Sequence, residues 1–209
     1  ARYLQDLVEE KTGGYRPIHI PNAIDEEKFG LDNPIGNRKP GTIIMLYSEE
    51  PRKGTSYGLE ALKQVHALYP ELRVQFFGVY PTPSGLPDWI SYIQRPGNLR
   101  QLYNEASVFI SPSLGEGWAL PPAEAMACGC AVVCTRIGGH LDYAIDRQSA
   151  LLIEKENPAQ LAERILELIN HDSLRQQIAE NGNHLIRHEF SWQSSVSRLE
   201  ECFSKALEK

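Results

Sequence analysis

The chain has 209 residues, 42% of them hydrophobic and 23% charged, an ordinary globular profile with room for one large domain or one and a half small ones. A net charge of −6 argues against general nucleic-acid binding and makes any anionic ligand depend on a local basic group. Cys128 and Cys130 are too close for a usual zinc pair, and neither a signal peptide nor an apolar run long enough to cross a bilayer is evident.

Leu4, Leu7 and Val8 share one face of an opening helix that Gly13-Gly14 ends, and Ala1 falls in mid-helix register, so a preceding portion is expected. Ile18-His19-Ile20 alternates and predicts a short strand, with His19 solvated or packed rather than functional. Asn33 to Gly41, rich in proline, glycine and asparagine, reads as a linker. A buried strand is predicted over Thr42 to Tyr47. Ser48 to Lys53 follows as a loop, and Gly54 to Tyr69 as a helix turning Leu59, Leu62, Val65 and Leu68 inward. Arg73 to Val79 is the next strand and Tyr80 to Pro87 a proline-rich loop. Ile90 to Gln94 is a short strand, from which Arg95-Pro96-Gly97-Asn98 turns into a helix with Leu99, Leu102 and Tyr103.

The stretch from Val108 to Cys134 is the most informative. Val108-Phe109-Ile110 ends a buried strand, and a loop with Glu116 between Gly115 and Gly117 follows. Pro121 and Pro122 fit a first helical turn, where a missing N–H costs nothing, and Gly129 marks the stop before a strand over Ala131 to Cys134. Ligands bind at the carboxyl ends of strands in such βαβ units. The helix N-terminus suits a phosphate, with free donors from Trp118, Ala119, Leu120 and Ala123. Glu116 and Glu124 border the same cleft; as pure acceptors they fit hydroxyls, so the ligand expected is phosphate-bearing and hydroxyl-rich. Thr135 to Gly139 forms a second glycine-containing loop, and Leu151-Leu152-Ile153 is the last strand. Helices open at Pro158, at Asp172-Ser173 and at Ser191-Trp192. Arg52-Lys53-Gly54 is the one concentrated basic point beside the cleft.

Ser111-Pro-Ser, followed by Glu-Gly-Trp-Ala-Leu-Pro-Pro-Ala-Glu-Ala-Met-Ala-Cys-Gly, resembles the donor-site signature of the retaining group 1 glycosyltransferases (glycosyltransferase family four, GT-B fold). Pro21-Asn22-Ala23-Ile24-Asp25 resembles the same family's domain junction, and the resemblance runs from about Pro21 to Trp192. It implies an α/β fold, a doubly wound, mainly parallel Rossmann-like sheet forming the C-terminal half of a GT-B enzyme. Residues 1–40 would be the edge of an N-terminal domain and the linker, 41–189 the nucleotide-sugar-binding domain, and 190–209 a helix crossing back. Glu116, with Gly117, Trp118 and Ala119, would meet the donor sugar, and Glu124 the ribose. Lys53 and Arg52, with the Leu120 amide, would meet the diphosphate, and Arg95 would lie at the nucleobase loop. Glu116 and Lys53 are the implied catalytic residues.

The implied function is hexose transfer from a nucleoside diphosphate sugar to an acceptor glycan, lipid or small molecule bound by an N-terminal domain. No cofactor, metal or nucleic acid is expected, and the fragment alone is expected to be inactive. The cysteines suit a reducing cytosol, with peripheral membrane attachment of the full-length protein left open. Three positions depart from the family pattern: Ala23 and Ala119 replace glycines, and Ser48 replaces an arginine five residues before Lys53, leaving the second cationic clamp absent or supplied by Arg52. That last departure keeps a non-catalytic nucleotide-sugar-binding module in view, beside a GT-B nucleotide-sugar epimerase. A dinucleotide-binding dehydrogenase is the weakest rival, since no Gly-x-Gly-x-x-Gly follows a strand.

Overall fold

The computed structural model describes residues 1–207. Six parallel strands form one sheet: β1 (Thr42–Leu46), β2 (Arg73–Gly78), β3 (Ile90–Gln94), β4 (Val108–Ser111), β5 (Ala131–Thr135) and β6 (Leu151–Ile153). Their order is β3-β2-β1-β4-β5-β6. Among the described residues there are seven α-helices: α1 (Arg2–Thr12), α2 (Thr55–Leu68), α3 (Leu99–Glu105), α4 (Leu120–Ala127), α5 (Pro158–Asn170), α6 (Asp172–Glu189) and α7 (Trp192–Leu207). The expected doubly wound α/β architecture is therefore present.

Strand alternation builds a core on each face of the sheet. Ile43, Met45, Val74, Phe76, Val108, Ile110 and Val133 point to the face covered by Leu62 and Val65 of α2 and Leu161 and Ile165 of α5. Ile44, Phe77, Phe109, Val132 and Cys134 point to the other, against Tyr103 of α3 and Ala123 and Met126 of α4. With both faces covered, β4 and β5 are buried throughout, as continuous apolar parallel strands require. Asn98 and Asn157 start α3 and α5 by accepting the amides of Gln101 and Gln160.

Four local expectations are corrected. Ile18-His19-Ile20 forms no strand; this segment runs irregularly to Ile24, which pairs in a single bridge with Ser191. Leu68 is 73% exposed, because α2 has turned away from the sheet by its last residue, and Ala61 takes the inward position instead. Val79 lies past the end of β2, which stops at Gly78. The Asn33 to Gly41 segment is no free linker: it contains a 3-10 turn at Ile35–Asn37 and is pinned by Arg38. The expected 190–209 segment is α7 over its described part; residues 208 and 209 lie outside the described residues.

Arg38 is 4% exposed, and its guanidinium donates to the carbonyls of Asn33, Tyr103, Ala106 and Cys128 and to Oδ1 of Asn104. Those of Tyr103, Ala106 and Cys128 lie at the C-terminal ends of α3 and α4, where unpaired carbonyls and the helix dipoles favour a cation. Arg38→Ala leaves several buried acceptors without donors, so a loss of about 3 kcal/mol or more is expected, measured as a lowered urea midpoint.

Candidate functional site

The chain runs outward from β1 to β3, returns to β4 and continues the other way to β6. The strand order reverses between β1 and β4, where the loops at their carboxyl ends diverge and leave a crevice, the usual ligand position in such sheets. These two loops carry Lys53 and Glu116. Lys53 ends a single 3-10 turn, Pro51–Lys53, and the Leu114 amide donates to the Arg52 carbonyl at 2.7 Å, fastening one loop to the other. Lys53 Nζ donates to Glu116 Oε1 at 2.7 Å, and an Arg52 guanidinium nitrogen stands 3.6 Å from Glu116 Oε2. The Glu116 carboxylate is 7% exposed and the Lys53 side chain 18%, so this pair is little screened by solvent. Ser111, Pro112, Ser113, Ala119, Pro121 and Pro122 line the small hollow beside them.

Glu124, two residues after Pro122 in α4, accepts from the Tyr103 hydroxyl at 3.1 Å. Burial pushes its carboxyl above the usual range, and the Tyr103 hydrogen bond only partly offsets this. Burial holds the hydroxyls of Tyr103 and Tyr143 well above their ordinary range, which keeps both as donors. Tyr143 donates to the Ala119 carbonyl at 2.8 Å.

Other expected site residues divide. Trp118 turns its ring into the core, against Tyr143 and Phe190, so only its main chain is left to face a ligand. Gly117 is exposed in the loop, and Leu120, at the first turn of α4, is 47% exposed. Arg95 follows the edge strand β3, two strands from β1 and roughly 10 Å from it by strand spacing. Its side chain is exposed and is not brought into contact with Lys53 or Glu116. Ser48 is buried; its hydroxyl accepts the Glu50 amide at 3.2 Å and so shapes the loop where a cation was expected. Arg52 binds Glu50 at 2.8 Å as well as approaching Glu116.

His140 was not foreseen. It is fully buried, with Nδ1 2.8 Å from the Thr135 carbonyl and Nε2 3.3 Å from Ser111 Oγ. A carbonyl only accepts, so Nδ1 carries the proton and Nε2 accepts from the hydroxyl. Burial lowers its proton affinity, which favours this neutral form. The signal available was its place directly after Gly138-Gly139.

Ala119 has φ 62°, ψ 87°, a left-handed conformation that strains any residue with a Cβ. This is the position where the donor-site signature has glycine. Ala119→Gly removes about 1–2 kcal/mol of strain, offset by about 0.4–1 kcal/mol from the freer unfolded chain. The expected net is a gain of up to about 1 kcal/mol, seen as a rise in Tm of about 2–4 °C by calorimetry.

A doubly wound parallel sheet with a cation facing a carboxylate at its switch point, next to a helix N-terminus, defines an open Rossmann-like α/β domain. Residues 32–185 match the family model described as glycosyl transferases group 1, and the chain belongs to that family. It is 39% identical over 217 residues to an uncharacterized glycosyltransferase of Methanocaldococcus jannaschii, covering 98% of this chain and 58% of that one. Among solved structures, the C-terminal domain of a group 1 glycosyl transferase from Francisella tularensis is similar at TM-score 0.69 and 24% identity, over 81% of this chain and all of that one. The HepE protein of Anabaena, solved with UDP-glucose, is similar in fold at TM-score 0.78 and 18% identity, over 94% of this chain and 60% of that one. The chain thus spans a little over half the length of the curated relatives it matches. Among the described residues no helix is long and apolar enough to cross a membrane, and no group of three or more His, Cys, Asp or Glu side chains is placed to hold a metal ion.

Proposed function

We propose that this chain is the donor-binding half of a retaining glycosyltransferase that moves a hexose from a nucleoside diphosphate sugar to an acceptor held by a preceding N-terminal domain. The observation that carries the reading is the Lys53–Glu116 pair, 2.7 Å apart across the β1/β4 crevice. Lys53, with Arg52 and the free amides at the start of α4, offers the diphosphate its positive charge and neutralises the leaving group as the glycosidic bond breaks. Glu116 accepts from the sugar hydroxyls and steadies positive charge at the reacting carbon. Glu124, held by the helix and by Tyr103, accepts from the ribose hydroxyls. Arg95 and the loop after β3 border the base. The phosphates are held by these groups without a metal ion. Family membership and the UDP-glucose held by a structural neighbour support the donor class.

The boundaries proposed are 1–40 for the edge of the N-terminal domain and its connection, 41–189 for the donor domain and 190–209 for the returning helix. Trp192 and Phe203 of α7 are 60% and 61% exposed, an apolar face that fits packing on the absent half. The four free cysteines, three of them buried, fit a cytoplasmic location.

A binding module without catalysis is the second reading, favoured by Ser48, which places a loop-shaping hydroxyl where a second cation is expected. A panel of UDP-, GDP- and ADP-sugars tests both: the full-length protein is expected to be stabilised thermally by one of them and to release its nucleotide in the presence of acceptor. Stabilisation without release assigns the binding module; no stabilisation by any member overturns the donor site.

A further inference from the structure

We propose that Tyr3, in the helix upstream of the sheet domain, is a positioning residue that fixes the Glu116 loop for sugar transfer. This rests on reading Glu116 as the carboxylate that serves the donor sugar.

Glu116 stands between two glycines, so its backbone has little conformational preference of its own. From Leu114 to Ala119 the loop's carbonyls are held by side chains from three other segments. Arg52 reaches the Gly115 carbonyl at 3.5 Å, the Tyr3 hydroxyl donates to the Glu116 carbonyl at 3.0 Å, and the Tyr143 hydroxyl donates to that of Ala119 at 2.8 Å. Of these, Tyr3 is the one that donates to the Glu116 main-chain carbonyl, and it lies outside the residues matched by the family model.

Tyr3 is itself wedged. A Cβ on Gly138 would stand 2.4 Å from its ring, and one on Gly139 would stand 2.4 Å from the Glu116 carbonyl oxygen. The Gly138-Gly139 loop therefore presses on Tyr3 and on Glu116 together. Asp142, four residues on, accepts the Arg2 amide at 2.8 Å and faces His19 Nε2 at 3.3 Å, tying the start of α1 and the segment after it to the same loop. The carboxylate of Glu116 is thus set by Lys53, and its main chain by a residue from outside the sheet domain.

The test uses the full-length protein with Tyr3→Phe, Gly138→Ala, Glu116→Gln and, as a control, Tyr15→Phe at an exposed tyrosine. Amide hydrogen exchange needs no substrate. Tyr3→Phe is expected to speed exchange over residues 115–119 by about two- to tenfold, the scale of one hydrogen bond, while the strands exchange as in the wild type. Gly138→Ala, which pushes Tyr3 aside, is expected to do the same. On whichever UDP-, GDP- or ADP-sugar the wild type consumes, Tyr3→Phe is expected to lower kcat by a similar factor, with donor KM and UDP affinity unchanged. Wild-type exchange in the loop overturns the proposal. So does faster exchange with wild-type kcat, or a parallel loss of UDP affinity and strand protection, which marks a merely structural contact. Full turnover in Glu116→Gln overturns the role of Glu116 instead, and the exchange result still decides whether Tyr3 holds the loop.

Discussion

Lys53→Ala is expected to weaken nucleoside diphosphate binding by about 1.5–3 kcal/mol, the scale of a charged hydrogen bond. The loss has two parts. The diphosphate forfeits its nearest ammonium, and the Glu116 carboxylate, 7% exposed, keeps only Arg52 at 3.6 Å and repels the incoming phosphates. Isothermal calorimetry with UDP reads the affinity, and the melting curve of the variant confirms that it is folded. Unchanged affinity in a folded variant removes Lys53 from the diphosphate site.

The second large effect falls on Glu116, where the ion pair changes the expectation drawn from sequence. With Glu116 taken as a pure sugar contact, Glu116→Gln should leave nucleotide affinity nearly intact. The structure has Lys53 already engaged by Glu116 at 2.7 Å, so an arriving diphosphate has to take the lysine from the carboxylate. Removing the charge removes that competitor. A nucleoside diphosphate is expected to bind Glu116→Gln about three- to tenfold more tightly, on the order of 1 kcal/mol for the loss of one competing ion-pair partner. On the proposed role of Glu116, turnover of the donor sugar is expected to fall about tenfold or more, because an anion placed where charge develops as the bond breaks would be lost. Tighter nucleotide binding with lower kcat is hard to obtain from a general packing defect. Weaker UDP binding in this variant, with Glu124→Gln unaffected, reverses the two carboxylate roles.

The parts of this fold that could be read in advance are those with a strong local pattern. Val108-Phe109-Ile110 and Ala131 to Cys134 are continuous apolar runs, Asn98 and Asn157 announce their helices, and Glu116 and Lys53 sit in loops that strand order brings together. What escaped was set by distant partners. Arg38 looked like a residue of a polar linker because its acceptors are main-chain carbonyls up to 90 positions away. Trp118 stood among expected ligand contacts, yet its ring packs on Tyr143 and Phe190, far along the chain. Tyr3 and Tyr143 act on the loop, and His140 on the ends of β4 and β5, by isolated hydrogen bonds that leave no periodic trace in the sequence. Ile18-His19-Ile20 had the alternation of a strand, but Ile18 is 70% exposed and no neighbouring strand pairs with it.

Arg38 also bears on how such chains can be recombined. A donor domain exchanged between relatives at Gly41, the first residue of the sheet region, would leave its arginine behind and inherit a foreign one. Asn33, Asn104 and the ends of α3 and α4 would then face a side chain they were not matched to. Asp32 and Asn33 are held to the same Asn104 by their backbone amides. The exchangeable unit therefore begins upstream of residue 32, and the segment before the first strand travels with the sheet it locks.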